Sequence, residues 1–226
     1  MRAVDPQYTK RMVEQADRIE NQLDTRLKPL NPYMDFRRQG SVSNLTHIRY
    51  YSDVDVLVII DKFVTLEPPQ RPDVPYMGVP TDDLLELRKL CARELAKAYP
   101  QARINDEGTT CIVIEGGSLK CPVDVVPSNW YDTNAYANGQ GPHTRGIMVL
   151  NKKEMTRTKN YPFLFNFRLD THDRARMGAP RMLIRLLKSV KADLEEESGS
   201  ELKLSSFDIC SLVYRMPDIY LQVNLH

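Results

Sequence analysis

The stretch "SDVDVLVIID", Ser52 to Asp61, constrains this chain more than any other. Residues 54–60, "VDVLVII", form a near-continuous β-branched and aliphatic run, the pattern of a strand covered on both faces. That strand opens on two acids. Residues i and i+2 of a strand project to the same side, so Asp53 and Asp55 point together where their neighbours require burial. Two carboxylates so placed repel one another and are costly to bury unless positive charge lies between them. Water at an exposed strand end satisfies an isolated Asp-x-Asp, and so does a hard divalent cation. The surrounding sequence decides between them.

Met12, Ala16, Ile19, Leu23 and Leu27 share one helical stripe, which predicts a long amphipathic helix over residues 7–28. "KPLNP" breaks it, and "MDFRR" is a short strand candidate leading into Gly40-Ser41. After the acidic strand comes a proline-rich loop, "LEPPQRPDVPYMGVP". Leu84, Leu87, Leu90, Cys91 and Leu95 then predict a helix over 81–99, with Thr81 as its N-cap ahead of Asp82 and Asp83. "TTCIVIE", the turn "GGS" and "LKCPVDVVP" read as a β-hairpin, with Pro122 at the start of its second strand. Pro180 opens a helix over 180–197 whose inward face is expected to carry Met182, Leu183, Leu186, Leu187, Val190 and Leu194. "SSFDICSLVYRM" begins a last helix, with Ser205 as N-cap and Asp208 completing a capping box. No repeat interrupts this order. The fold class is α+β: a mixed sheet with helices, followed by a helical segment.

The hairpin places a third acid, Asp124, inside the apolar run "CPVDVVP". A lone aspartate there is expensive unless its strand neighbours that of Asp53 and Asp55 and all three converge on metal. Gly40-Ser41 follows a strand candidate, where a small turn offers backbone N–H groups and a hydroxyl to phosphate oxygens. A phosphate cradle, two carboxylates on one strand and a third on a later strand are what two-metal phosphoryl transfer needs. Local charge agrees: residues 145–191 carry twelve Lys or Arg against three acids, although the whole chain has a formal charge of only +1. Arg181, Arg185 and Lys188 recur near helical spacing, so one face of their helix is basic.

Gly40-Ser41, "DVD" and the later "VDVVP" resemble the signature of the polymerase-β-type nucleotidyltransferases. More closely, "RQGSVSNLTHIRYYSDVDVLVII" resembles the bacterial cyclic-oligonucleotide synthases (CD-NTases), relatives of cyclic GMP–AMP synthase and oligoadenylate synthetase. The resemblance spans most of the chain. It implies a nucleotidyltransferase core with a spine helix over 1–150 and a partial helical second lobe over 151–226. It also implies a metal site of Asp53, Asp55 and Asp124 holding Mg²⁺ or Mn²⁺. Gly40 and Ser41 would hold the donor phosphates, and Lys188 with Ser205 or Ser206 would contact the triphosphate. The activity implied is template-independent synthesis of a cyclic di- or trinucleotide messenger from nucleoside triphosphates, ATP or GTP, in antiviral defence. The family's second lobe continues through several more helices than this sequence carries. Linear oligonucleotides, or nucleotidylation of RNA or protein, therefore stand as the alternative product class. A catalytically silent nucleotide-binding regulator is a second alternative.

The remaining signals are plainer. Cys91, Cys111, Cys121 and Cys210 form no Cys-x-x-Cys pair and read as reduced, buried residues of a cytoplasmic protein. Nothing approaches the length of a membrane span, nothing marks a duplex nucleic-acid binder, and a regulatory protein partner is open. His47 reads as a surface histidine near the nucleotide. His143 and His172 lack partners at metal-ligand spacing. Trp130, Tyr131 and Tyr136 follow the third aspartate and suit either stacking on a base or packing.

Overall fold

A computed structural model describes residues 5–30, 33–48 and 52–221. Its first element is helix α1 (Pro6–Leu27), capped by the Asp5 side chain with Pro6 at the first helical position. Then come β1 (Met34–Gln39), the short helical turn α2 (Gly40–Ser43), β2 (Val54–Leu66) and α3 (Pro80–Ala98). The chain continues through β3 (Arg103–Asn105), β4 (Ile112–Glu115), β5 (Val123–Asp132) and α4 (Asn134–Ala137). It ends with β6 (Gly146–Asn151), β7 (Thr156–Asn160), α5 (Pro162–Arg174), α6 (Ala179–Ser198) and α7 (Ser206–Tyr214).

Among the described residues the strands form one mixed sheet in the order β1-β2-β5-β4-β3, with β6 on the far half of β5 and β7 outside it. β2 and β5 run parallel, and every other pair is antiparallel. A parallel neighbour needs a crossover, and α3 supplies it. Alternation along β2 then sorts its side chains. Val54, Val56, Val58 and Ile60 join Val123, Val125 and the apolar faces of α1 and α3 in the main core. Leu57 and Ile59 join Val126, Trp130, Ile147 and Val149 on the opposite face, with Phe163 packed against them. The strand is covered on both faces, as its composition requires. Pro127 sits in the middle of β5 without conflict, in the interval where its outer partner changes from β4 to β6.

The stripe predicted for α1 is buried throughout, and Gln15 joins it. The Gln15 amide donates to the Cys121 carbonyl at 2.6 Å, and its oxygen accepts from the Lys120 N–H at 2.6 Å. Through this side chain α1 fixes the chain three residues before Asp124. The four cysteines are free, and the hairpin forms as expected, with Ile112 opposite Val125.

Two helices differ from their sequence reading. The N-cap of α3 is Val79 rather than Thr81, because Pro80 takes the first helical position and no side chain caps the helix. On α6, Met182, Leu186, Val190 and Leu194 are exposed at 40–48%, while Ile184, Lys188, Ser189 and Ala192 are buried and Leu183 and Leu187 half-buried. The helix is turned so that its basic residues reach inward, and hydrophobic periodicity alone does not register that demand. The sheet also continues past residue 150 through β7, so the purely helical part begins at Pro162. Those helices bury a small cluster of their own, built on Leu169, Ile184, Ile209 and Val213.

Gln15→Leu is expected to strand the Lys120 N–H and Cys121 carbonyl in the interior. A loss of about 1–3 kcal/mol in urea unfolding should follow, with no change in the m-value. A variant as stable as the parent would show that α1 does not anchor the start of β5.

Candidate active site

The β2–β5 register pairs Asp55 directly with Asp124, Val54 with Val123 and Leu57 with Val126. Both carboxylates therefore leave the same face of the sheet at the beginning of adjacent parallel strands, and Asp53 precedes β2 on the same side. Asp53 is exposed, whereas Asp55 and Asp124 are partly buried. Burial, then the charges of Asp53 and Asp124, push the Asp55 carboxyl up to about 7. Burial and the Asp53 charge raise Asp124, against a hydrogen bond from the Cys111 thiol. The three predicted carboxylates are gathered at one strand end.

Gly40 is the close neighbour of this group. Its φ is +80°, and a Cβ built on it would lie 1.8 Å from Asp55 Oδ2. Only glycine gives both that conformation and that approach. Gln39, paired with Asp55 across β1 and β2, hydrogen-bonds the carboxylate and opposes its upward shift. The turn then folds on itself, with the Asn44 N–H donating to the Gly40 carbonyl and Thr46 N–H to that of Ser41.

Lys188 reaches this turn from α6. It is buried, and its Nζ donates to the Thr46 carbonyl at 3.1 Å. Burial lowers its proton affinity while Cys210 and Asp53 act the other way, which places the ammonium within electrostatic reach of the acids. Ser205 and Ser206 separate in role. Ser205 caps α7 through the capping box with Asp208. Ser206 lines a cleft of about 720 Å³ together with Gln39, Gly40, Ser41, Asn166 and Tyr214. That cleft starts at the turn beside Asp55.

His47 is not a surface residue. It is buried, its Nε2 lies 2.8 Å from Thr9 Oγ1 on α1, and burial, with Lys188 and Arg185 nearby, lowers its proton affinity against a backbone hydrogen bond to Ser41. Trp130 and Tyr131 are buried, with Arg145 4.0 Å over the Trp130 ring, so both pack rather than offer a free stacking face. His143 stacks on Phe167 at 3.8 Å. The sequence marks neither Cys111 nor Gln39 as a residue of the site. Gln39 had a signal, its place immediately before Gly40-Ser41; Cys111 had none, because only the β4–β5 pairing brings it to Asp124.

Among the described residues no three His, Cys, Asp or Glu side chains are drawn together as a ready-made metal cage. The donor set nevertheless fits a hard cation. It offers carboxylate oxygens alone, in mutual repulsion, beside an open cleft from which a phosphate could complete the shell.

No family model matches the chain. It is 39% identical over 215 residues to the cyclic dinucleotide synthase CdnE of Yersinia aleksiciae, covering 95% of this chain and 56% of that protein. The solved CdnE c-di-GMP synthase of Capnocytophaga granulosa superposes with a TM-score of 0.74 at 30% identity, covering 98% of this chain and 64% of that one. That of a Flavobacteriaceae species gives 0.81 at 24% identity, covering 99% and 67%. The chain belongs to the CD-NTase family. It has the fold of that family, α+β with a mixed sheet. It spans a little over half the length of its Yersinia relative. Among its described residues no CD-NTase helix here is long and apolar enough to cross a membrane.

The acids of this CD-NTase make a sharp prediction for the metal-free protein. The folded Asp55 carboxyl titrates near 7, whereas an unfolded aspartate titrates near 3.9. Between those values the folded state holds a proton that the unfolded chain has released, so stability falls as pH rises through that window. Asp55→Asn removes this contribution. In EDTA it should flatten the decline relative to the parent and gain about 1–3 kcal/mol at pH 8 by denaturant unfolding. A variant that loses stability at pH 8 would contradict the repulsion. Gly40→Ala should instead displace Asp55 or the turn. Nucleoside triphosphate with Mg²⁺ should then raise the melting temperature of the parent but not of the variant. An equal rise in both would show that the close approach is dispensable.

Proposed function

We propose that this chain is a template-independent nucleotidyltransferase that joins nucleoside triphosphates into a cyclic dinucleotide. The observation that carries the reading is the Asp55–Asp124 register pair with Asp53 beside it, next to a glycine that admits no side chain. The names of the relatives, cyclic dinucleotide synthase and c-di-GMP synthase, support a dinucleotide over a trinucleotide. Asp53 and Asp55 would hold the cations, with Asp124 completing the set and accepting toward the attacking hydroxyl. When bound there, two ions, Mg²⁺ or Mn²⁺, would supply Lewis acidity to the phosphoryl transfer.

The chain's own part is positioning. Gly40 and Ser41 present the turn to the donor phosphates, with Lys188 and Ser206 on the facing helices. A ribose hydroxyl of the acceptor attacks the α-phosphorus, the bond to the β-phosphate oxygen breaks, and pyrophosphate leaves. Repeating the step on the second nucleotide closes the ring. Asp124 shares its surroundings with the Cys111 thiol, which helps hold its orientation.

Incubation with the four ribonucleoside triphosphates and Mg²⁺ or Mn²⁺ should release pyrophosphate and yield a phosphatase-resistant product of cyclic dinucleotide mass. The Asp53→Asn/Asp55→Asn double variant should fall to background while remaining folded by circular dichroism. A linear product would keep the chemistry and reject cyclisation. Nucleotide binding without pyrophosphate release would favour the silent-regulator reading.

A further inference from the structure

Arg181, Arg185 and Lys188 donate to three consecutive backbone carbonyls. Arg181 Nε reaches the Asn44 oxygen at 2.9 Å, Arg185 Nη1 the Leu45 oxygen at 2.8 Å, and Lys188 Nζ the Thr46 oxygen at 3.1 Å. These carbonyls close the turn that Gly40-Ser41 opens. Steps of four and three residues along α6 advance about 6 and 4.5 Å. The long cationic side chains match that spacing to the chain alongside.

Arg181 is the hub of this ladder. Its Nη1 bonds to Asp173 Oδ2 at 2.8 Å, and Nη1 and Nη2 both lie 3.2 Å from Asp170 Oδ1. Every nitrogen of the guanidinium is thus engaged. Asp173 is buried, and its Oδ1 also accepts the Arg181 backbone N–H at 2.9 Å, serving the first turn of α6 where Gly178 provides no side-chain cap. One arginine therefore joins α5, the start of α6 and the turn.

The turn itself needs support. Leu45 has a φ of +58°, a conformation that a leucine holds only where its surroundings over-determine it. Its side chain is half exposed and gives little anchorage, so the Arg185 bond to its carbonyl supplies the restraint.

We propose that Arg181 and Arg185 are positioning residues for the donor-phosphate turn. Acting through the backbone of residues 44–46, they hold Gly40 and Ser41 at the placement a triphosphate requires. The C-terminal helices and the turn then order as one unit. This inference rests on the nucleotide reading of that turn, and its test separates the two.

Affinity for α,β-methylene ATP and α,β-methylene GTP with Mg²⁺ would be measured by calorimetry, alongside amide hydrogen exchange over residues 40–46. The variants are Arg181→Gln, Arg181→Lys and Arg185→Ala. Arg176→Ala is the control, since that guanidinium bonds Asp218 and the His172 carbonyl within the C-terminal helices. Arg181→Gln and Arg185→Ala should each weaken binding about tenfold and speed exchange in the turn, the worth of one charge-assisted hydrogen bond. Arg181→Lys should recover part of the affinity. Arg176→Ala should lower the melting temperature without either effect. Parental affinity and exchange in Arg181→Gln and Arg185→Ala would overturn the proposal, and so would an equal loss in Arg176→Ala. If the parent binds no triphosphate, the nucleotide reading fails. Exchange over 40–46 then still tests the ladder: faster exchange in the arginine variants supports it, and unchanged exchange overturns it.

Discussion

Two parallel strands set side by side with an aspartate opposite an aspartate create a charge conflict that the rest of the molecule is arranged around. Asp55 and Asp124 share one register position at the beginning of β2 and β5, and Asp53 adds a third negative charge next to them. Sheets ordinarily bury apolar residues at such a place, and below that pair this one does, with Leu57, Ile59 and Val126. The acids are kept at the strand end, where the proximity of Gly40 crowds Asp55 still further. Burial first, and then the charges of Asp53 and Asp124, push the Asp55 carboxyl upward. A divalent ion would resolve the conflict by converting mutual repulsion into shared coordination.

Each layer contributes to holding this arrangement. The α3 crossover makes β2 and β5 parallel, and α1 fixes the approach to β5 through Gln15. On the other side, α6 reaches the turn after Gly40 with three cations rather than with its apolar residues. Rigid backbone therefore carries the acids. The turn that faces them depends on long side chains and on a strained leucine. The two halves of the site differ in how firmly the fold imposes them.

Much of this was legible in the chain before its fold. The α1 stripe, the doubly covered β2 strand, the β4–β5 hairpin that carries Asp124, and the Ser205–Asp208 capping box all follow from local pattern and periodicity. Those signals are local, or depend on one strand pairing that composition dictates. The face of α6 was not legible. Counting apolar positions favours burying Met182, Leu186 and Val190, but the helix is turned so that Arg181, Arg185 and Lys188 bond the carbonyls of residues 44–46. Burial of His47 against Thr9 and the approach of Cys111 to Asp124 were equally hidden, since each depends on contacts distant in sequence. The resemblance of the Gly40 to Ile60 stretch to CD-NTases supplied the family, and identity along most of the chain bears it out. It did not supply the division of labour between Ser205, which caps a helix, and Ser206, which faces the cleft.

The claim on which all of this depends is that the three carboxylates form a cation site opposite a phosphate turn. A crystal structure with Mn²⁺ and α,β-methylene GTP, using the anomalous signal of manganese, tests it directly. The account predicts a manganese peak within bonding distance of the Asp53, Asp55 and Asp124 oxygens, with the triphosphate lying over Gly40 and Ser41. Manganese bound elsewhere, or a triphosphate seated away from that turn while the carboxylates hold no metal, would contradict it.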